Sequence, residues 1–193
     1  MLSSDTPSES PAKAALLLWL PGTEETMEVD SKSAAEPVPE VDIYLRLLLI
    51  HHLLSSPSTY PQALDLAHQT VEKMQALNRR SMDAIAAKVW YAVQRAYELG
   101  SDLASARPLF LAAQRTASLR HDDEAHAALI NCLLRSYTQY SLYDQADKLV
   151  SKTTFPASAS NAQFARYHYY LGRIKAVQLN YTDAHTNLQQ AIR

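Results

Sequence analysis

The residues of this 193-residue chain with the types to do chemistry are seven histidines, one cysteine and a few adjacent carboxylates. Their spacing decides what they can do. His51 and His52 are neighbours and point to different sides of a helix, and His121 and His126 are five apart, about 140° off register. No H-E-x-x-H occurs, so surface or part-buried histidines are expected rather than a metal site. Cys132 lies among apolar residues and reads as a core thiol rather than a nucleophile. As the only cysteine it has no partner for a disulfide within the chain, which fits a reducing compartment. The pair Asp122-Asp123 is accounted for by capping of a helix. Only Gly22, Gly100 and Gly172 are glycine, and neither G-x-x-x-x-G-K nor G-x-G-x-x-G is present, which argues against a phosphate-cradling loop. No set supplies nucleophile, base and oxyanion donors together. The expectation is a protein that is not an enzyme, with no cofactor, no metal and no small-molecule substrate.

What remains is recognition. A formal net charge of -2 argues against a strong electrostatic hold on nucleic acid. One strip is nevertheless basic: Lys88 and Arg95, then Arg135, then Arg166 and Arg173, carried on the first helices of successive hairpins. The outer pairs are each seven apart and so stack on one face. In a helical arc these five residues would line a groove suited to an acidic, extended partner; simple solvation of an exposed face is the plain alternative.

The elements that would position them are read from periodicity. The stretch Thr116–Lys152 is a complete helical hairpin, capped by Asp122 and Asp123 and broken at Ser141-Leu142. In its first helix only Glu124, Asn131, Arg135 and Thr138 form a narrow polar strip, so that helix must be covered on most of its circumference. One partner helix covers one side only, and neighbouring hairpins are therefore implied.

Helical spacing predicts a first helix from Val41, with Val41, Tyr44, Leu45, Leu48 and His52 on one face, ended by Pro57 and Pro61. Further helices are expected over Pro61–Leu77, Ser81–Leu99, Leu103–Leu119, Asp122–Tyr140, Tyr143–Ser151, Asn161–Leu179 and Tyr181 to the end, with no strand. The second member of each pair starts with a large apolar residue and an alanine three later: Tyr60 and Ala63, Leu103 and Ala106, Tyr143 and Ala146, Tyr181 and Ala184. These starts are 43, 40 and 38 residues apart. A period near 40 marks a solenoid of antiparallel helical hairpins, and the alanine allows close approach of the two helices. In the last unit Leu171-Gly172, Tyr181, Ala184, Leu188 and Ala191 match tetratricopeptide offsets. Tyr169 and Val177 face away from their own hairpin and should stay in water.

Residues 1–38 read as a disordered, acidic, Pro/Ser-rich tail with one short helix near 12–20 that docks on the first hairpin. Its apolar run Ala14–Leu20 is far shorter than the roughly 20 residues of a membrane span. Residues 39–193 form the helical-repeat domain.

The segments RTASLRHD (115–122), LLRSY-x-x-YSLYDQA-x-KLVSK (133–152) and YYLGRIKA-x-QL-x-Y (169–181) resemble the family of the third non-ATPase subunit of the proteasome regulatory-particle lid, from about Pro39 to Arg193. The resemblance implies a non-catalytic scaffold of PCI type, an arc of tetratricopeptide-like hairpins followed by a winged helix. It also implies a cytoplasmic and nuclear location, and a role in ATP-dependent degradation of ubiquitinated proteins through contacts with other lid subunits, among them a small acidic one. Against that family the sequence stops at Arg193, before the winged helix. A stand-alone helical-repeat adaptor for acidic peptides, or a fragment that does not assemble, is the alternative. Neither nucleic acid nor membrane is an expected partner.

Overall fold

The computed structural model describes Trp19 and residues 38–77, 79–100 and 102–193. The tail over 1–38, with its short helix near 12–20, lies outside the described residues apart from Val38 and Trp19, a turn residue packed half-buried against the core.

Eight α-helices follow one another among the described residues: α1 (Pro39–Leu53), α2 (Tyr60–Leu77), α3 (Asp83–Leu99), α4 (Arg107–Arg120), α5 (Asp123–Gln139), α6 (Tyr143–Lys152), α7 (Asn161–Val177) and α8 (Tyr181–Ile192). No strand occurs among the described residues. The helices make an all-α solenoid. Its first helices α1, α3, α5 and α7 lie side by side; α2 packs on α1 and α3, α4 on α5, α6 on α5 and α7, and α8 on α7. Helices α3 and α4 also meet through Trp90 and Phe110, whose rings stand edge to face with centroids 6.2 Å apart.

Helix α5 is the axis of this packing. Every residue from Ala125 to Leu134 is buried, and Leu129, Ile130, Leu133 and Leu134 are fully so. Each such side chain contributes roughly 1.5–3 kcal/mol of burial, which explains why neighbours must cover this helix on several sides. The Asp122 carboxylate accepts a hydrogen bond from the Ala125 amide at 3.1 Å, capping it as its sequence suggests. The repeated alanines do what their size permits: Ala63, Ala106, Ala146 and Ala184 are all buried where each second helix approaches its neighbours. Tyr169 and Val177 remain 44% and 51% exposed, as expected of residues facing away from their hairpin.

One expectation needs correction, the start of α4, while the shared face expected on α1 is present and lies in water. On α1, Val41, Tyr44, Leu45, Leu48 and His52 share the solvent face, while Ile43, Leu47, Ile50 and Leu53 enter the core. Both sides of this helix are apolar, so periodicity alone cannot tell which one α2 and α3 will cover. The inward side also carries Asp42, whose buried charge is balanced by Arg46 at 3.0 Å and Lys73 at 2.7 Å. Helix α4 begins at Arg107 and not at Leu103, because Pro108 has no N–H to offer the Ala104 carbonyl and belongs in a first turn. The preceding residues form turns in which Leu103 and Ala106 are still buried.

Scarce glycine does not prevent tight turns. His121, Ser141 and Leu179, after α4, α5 and α7, take left-handed backbone conformations with φ of 56°, 57° and 64°. Such a conformation is costly for residues with a Cβ, most of all for leucine.

Candidate partner-binding groove

Alignment of α3, α5 and α7 brings one polar stripe from each helix to a common surface. Asn131 of α5 is 5% exposed, and its amide nitrogen donates to both the backbone carbonyl and the side-chain oxygen of Gln163 on α7, each at 2.9 Å. Its Oδ1 is buried with no described partner. One turn further along, Arg135 makes a forked contact with Glu98 of α3: Nη2 to Oε1 at 2.5 Å and Nε to Oε2 at 3.2 Å. Its Nη1 reaches the Tyr170 hydroxyl at 3.3 Å. Burial works to raise the Glu98 carboxyl, but hydrogen bonds and charge from Arg135 and Arg95 outweigh it and hold it below the usual range. The same hydrogen bond to Glu98 raises Arg135 beyond its ordinary value.

The five residues of the basic strip therefore differ in role. Arg135 is half-buried and fixes α3, α5 and α7 to one another. Arg95 is exposed and leans on Glu98 at 3.2 Å. Arg166 lies over the Tyr91 ring, 5.3 Å from its centroid, and Arg173 over Tyr169 at 5.9 Å. Lys88 is exposed on α3 and borders neither hollow of the groove. The structure brings Arg135, Arg166 and Arg173 to one surface. It leaves Lys88 and Arg95 towards the α3 edge.

Two adjoining hollows make up this surface. One, of about 170 Å³, is lined by Tyr91, Asn131, Gln163 and Arg166, among others; the next, of about 430 Å³, by Glu98, Thr138, Tyr169 and Arg173. Arg135 and Tyr170 border both, so the two are one continuous groove. It presents guanidinium groups on tyrosine faces and exposed aromatic edges, a surface chemically able to pair with carboxylates and to stack.

Sequence reasoning missed Glu98, which neutralises part of the strip; its i,i+3 spacing from Arg95 was the available signal. The Asn131–Gln163 clamp joins residues 32 apart and left no local trace.

The groups that suggested other chemistry are occupied elsewhere. Cys132 is buried and its thiol is pushed up to about 12 by burial, so it is not a thiolate at neutral pH. His126 is buried against Gln114 at 2.7 Å, and burial lowers its pKa. His51, His52 and His121 are exposed. Among the described residues no three of His, Cys, Asp and Glu gather as a metal set, and no helix is long and apolar enough to cross a membrane.

A family model described as PSMD3-like, N-terminal TPR repeats, matches residues 8–193. The chain is 52% identical over 157 residues to the probable 26S proteasome non-ATPase regulatory subunit 3 of Anopheles gambiae, covering 81% of this chain and 32% of that protein. The Drosophila melanogaster protein of the same name is 45% identical over 193 residues, covering 97% of this chain and 39% of the relative. The probable 26S proteasome regulatory subunit rpn3 of Schizosaccharomyces pombe is 46% identical over 155 residues, covering 80% and 31%. The chain thus spans about a third of the length of the curated relatives it matches.

Proposed function

The chain belongs to the PSMD3-like family of N-terminal TPR repeats, and we propose that it is a scaffold element of the 26S proteasome regulatory-particle lid, without catalytic chemistry of its own. In this reading it works in the cytoplasm and nucleus. It supports ATP-dependent degradation of ubiquitinated proteins by holding other lid subunits in place. The observation that carries the proposal is the family match across residues 8–193.

The groove along α3, α5 and α7 gives the reading a place to act. Arg166 and Arg173 form no ion pair with a described residue and stand on tyrosine faces, Arg166 in the hollow that Asn131 also lines. An acidic, extended segment would offer carboxylates to the two arginines. A small acidic lid subunit is the partner we assign to it. Arg135 belongs to the scaffold of the groove, so charge reversal there would also disturb the packing of three helices.

Titration of the chain with a purified small acidic lid subunit tests both parts. Arg166→Glu with Arg173→Glu should weaken binding by roughly tenfold or more and make it less sensitive to salt. Unchanged affinity would remove the groove from the account. Failure of the unaltered chain to bind any lid subunit at micromolar concentration would remove the scaffold reading itself.

A further inference from the structure

The opposite side of α5 carries a second trough. Tyr137 is about 200° around the helix from Arg135 and faces the space between α4 and α6, which do not pack closely on one another. The result is a groove of about 590 Å³. Leu111 and Leu119 of α4 and Leu149 of α6 line it with Tyr137, and Leu119 is 83% exposed. Every charged residue along it is basic: Arg115 on α4, and Lys148 and Lys152 on α6. None of the three forms an ion pair with a described residue. On α6 the exposed Asp144 stands one turn before Lys148 but outside the lining of the trough. Asp147 is turned away to bind Lys175 of α7 at 2.8 Å, which leaves the trough uniformly positive in a chain of net charge -2.

The walls specify the shape of an occupant as well as its charge. Leu111, Arg115, Ser118 and Leu119 make a stripe on α4, and Gln145, Lys148, Leu149 and Lys152 make one on α6. Apart from the last carbonyls of α4 and α6, the backbone groups of both walls are bonded within their helices. An extended strand laid there would leave its own N–H and C=O groups without protein partners, whereas a helix brings its bonds with it. Helix α6 has ten residues, about 15 Å, so three turns of a partner fill the trough.

We propose that the trough between α4 and α6 is a docking site for an acidic amphipathic helix of a partner protein. Its leucine-type stripe packs on Leu111, Leu119, Leu149 and Tyr137, and its flanking carboxylates meet Arg115, Lys148 and Lys152. The site is independent of the groove along α3, α5 and α7 and of any partner bound there.

Fluorescence anisotropy on the whole 193-residue chain tests it. The probe is a labelled 14-residue peptide with leucine at i, i+3, i+4 and i+7 spacing and glutamate on the remaining positions, with a lysine-for-glutamate peptide as its counterpart. The acidic probe should bind, and binding should fade with added salt. Lys148→Glu with Lys152→Glu should weaken it roughly tenfold or more, and the milder Lys148→Gln with Lys152→Gln should act in the same direction. Arg166→Glu with Arg173→Glu should leave it unchanged. Any of four results overturns the proposal: no binding to the unaltered chain, equal binding of the lysine peptide, equal affinity after charge reversal on α6, or loss of binding only with the Arg166 and Arg173 changes.

Discussion

Replacing Gly172 by alanine should destabilise this fold even though alanine is the better helix former. A Cβ at position 172 of α7 would lie 2.7 Å from Cγ and 2.9 Å from Cδ2 of Leu188 on α8, and 3.3 Å from the Ala184 carbonyl. Ordinary carbon contacts sit near 3.5–4.0 Å, so Leu188 must retreat by about 1 Å. Overpacking of this kind costs about 1–3 kcal/mol, against a gain of about 1 kcal/mol from helix propensity. The net change is therefore a loss of up to about 2 kcal/mol. With Leu188→Ala already in place only the 3.3 Å approach to the Ala184 carbonyl remains, and Gly172→Ala should become near neutral or stabilise by up to about 1 kcal/mol. The coupling between the two substitutions should thus reach about 1–3 kcal/mol in a double-mutant cycle. Urea unfolding followed by circular dichroism at the helix band measures all four corners. Equal effects of Gly172→Ala in both backgrounds would refute the close packing of α7 on α8 and the reasoning built on it.

Two other outcomes are expected. Burial lowers the pKa of His126, partly offset by Asp123, so the folded chain takes up this proton less readily than the unfolded one. Its contribution is then fully present above the unperturbed 6.5 and is lost as pH falls through the lower folded value. The urea midpoint should drop between pH 7.5 and 5.5, and His126→Gln should flatten that part of the slope; an unaltered slope would contradict the assignment. Leu179 is 70% exposed and left-handed, so Leu179→Gly should raise stability by about 0.5–1 kcal/mol, the relief of about 1–2 kcal/mol exceeding the added freedom of the unfolded chain. A thermal melt shifted downward would show that the turn is not strained.

Much of the architecture was legible because it is local and repeated. The alanines at 63, 106, 146 and 184 recur at nearly constant spacing, the Asp122 cap stands just before an apolar run, and the near-continuous apolar surface of α5 required neighbours on several sides. The strip of basic residues was legible as well, since positions seven apart share a helix face whatever surrounds the helix. Its chemistry was not. Glu98 takes charge from Arg95 and Arg135, Tyr91 and Tyr169 support Arg166 and Arg173, and Asn131 meets Gln163 across 32 residues.

Helix α1 marks the division most clearly. Its sequence determined a helix with apolar residues around most of its circumference, because backbone periodicity is a property of neighbouring residues. Which side became core was decided by α2 and α3, which cover Ile43, Leu47 and Ile50 and leave Tyr44, Leu45 and Leu48 in water. The trough between α4 and α6 has the same origin: each wall is an ordinary amphipathic stripe, and only their separation across α5 gathers three cations around one apolar floor. Spacing along a chain fixes which residues share a face, whereas the partner that face meets depends on how far apart whole helices are held, and that distance is set by side chains many residues away.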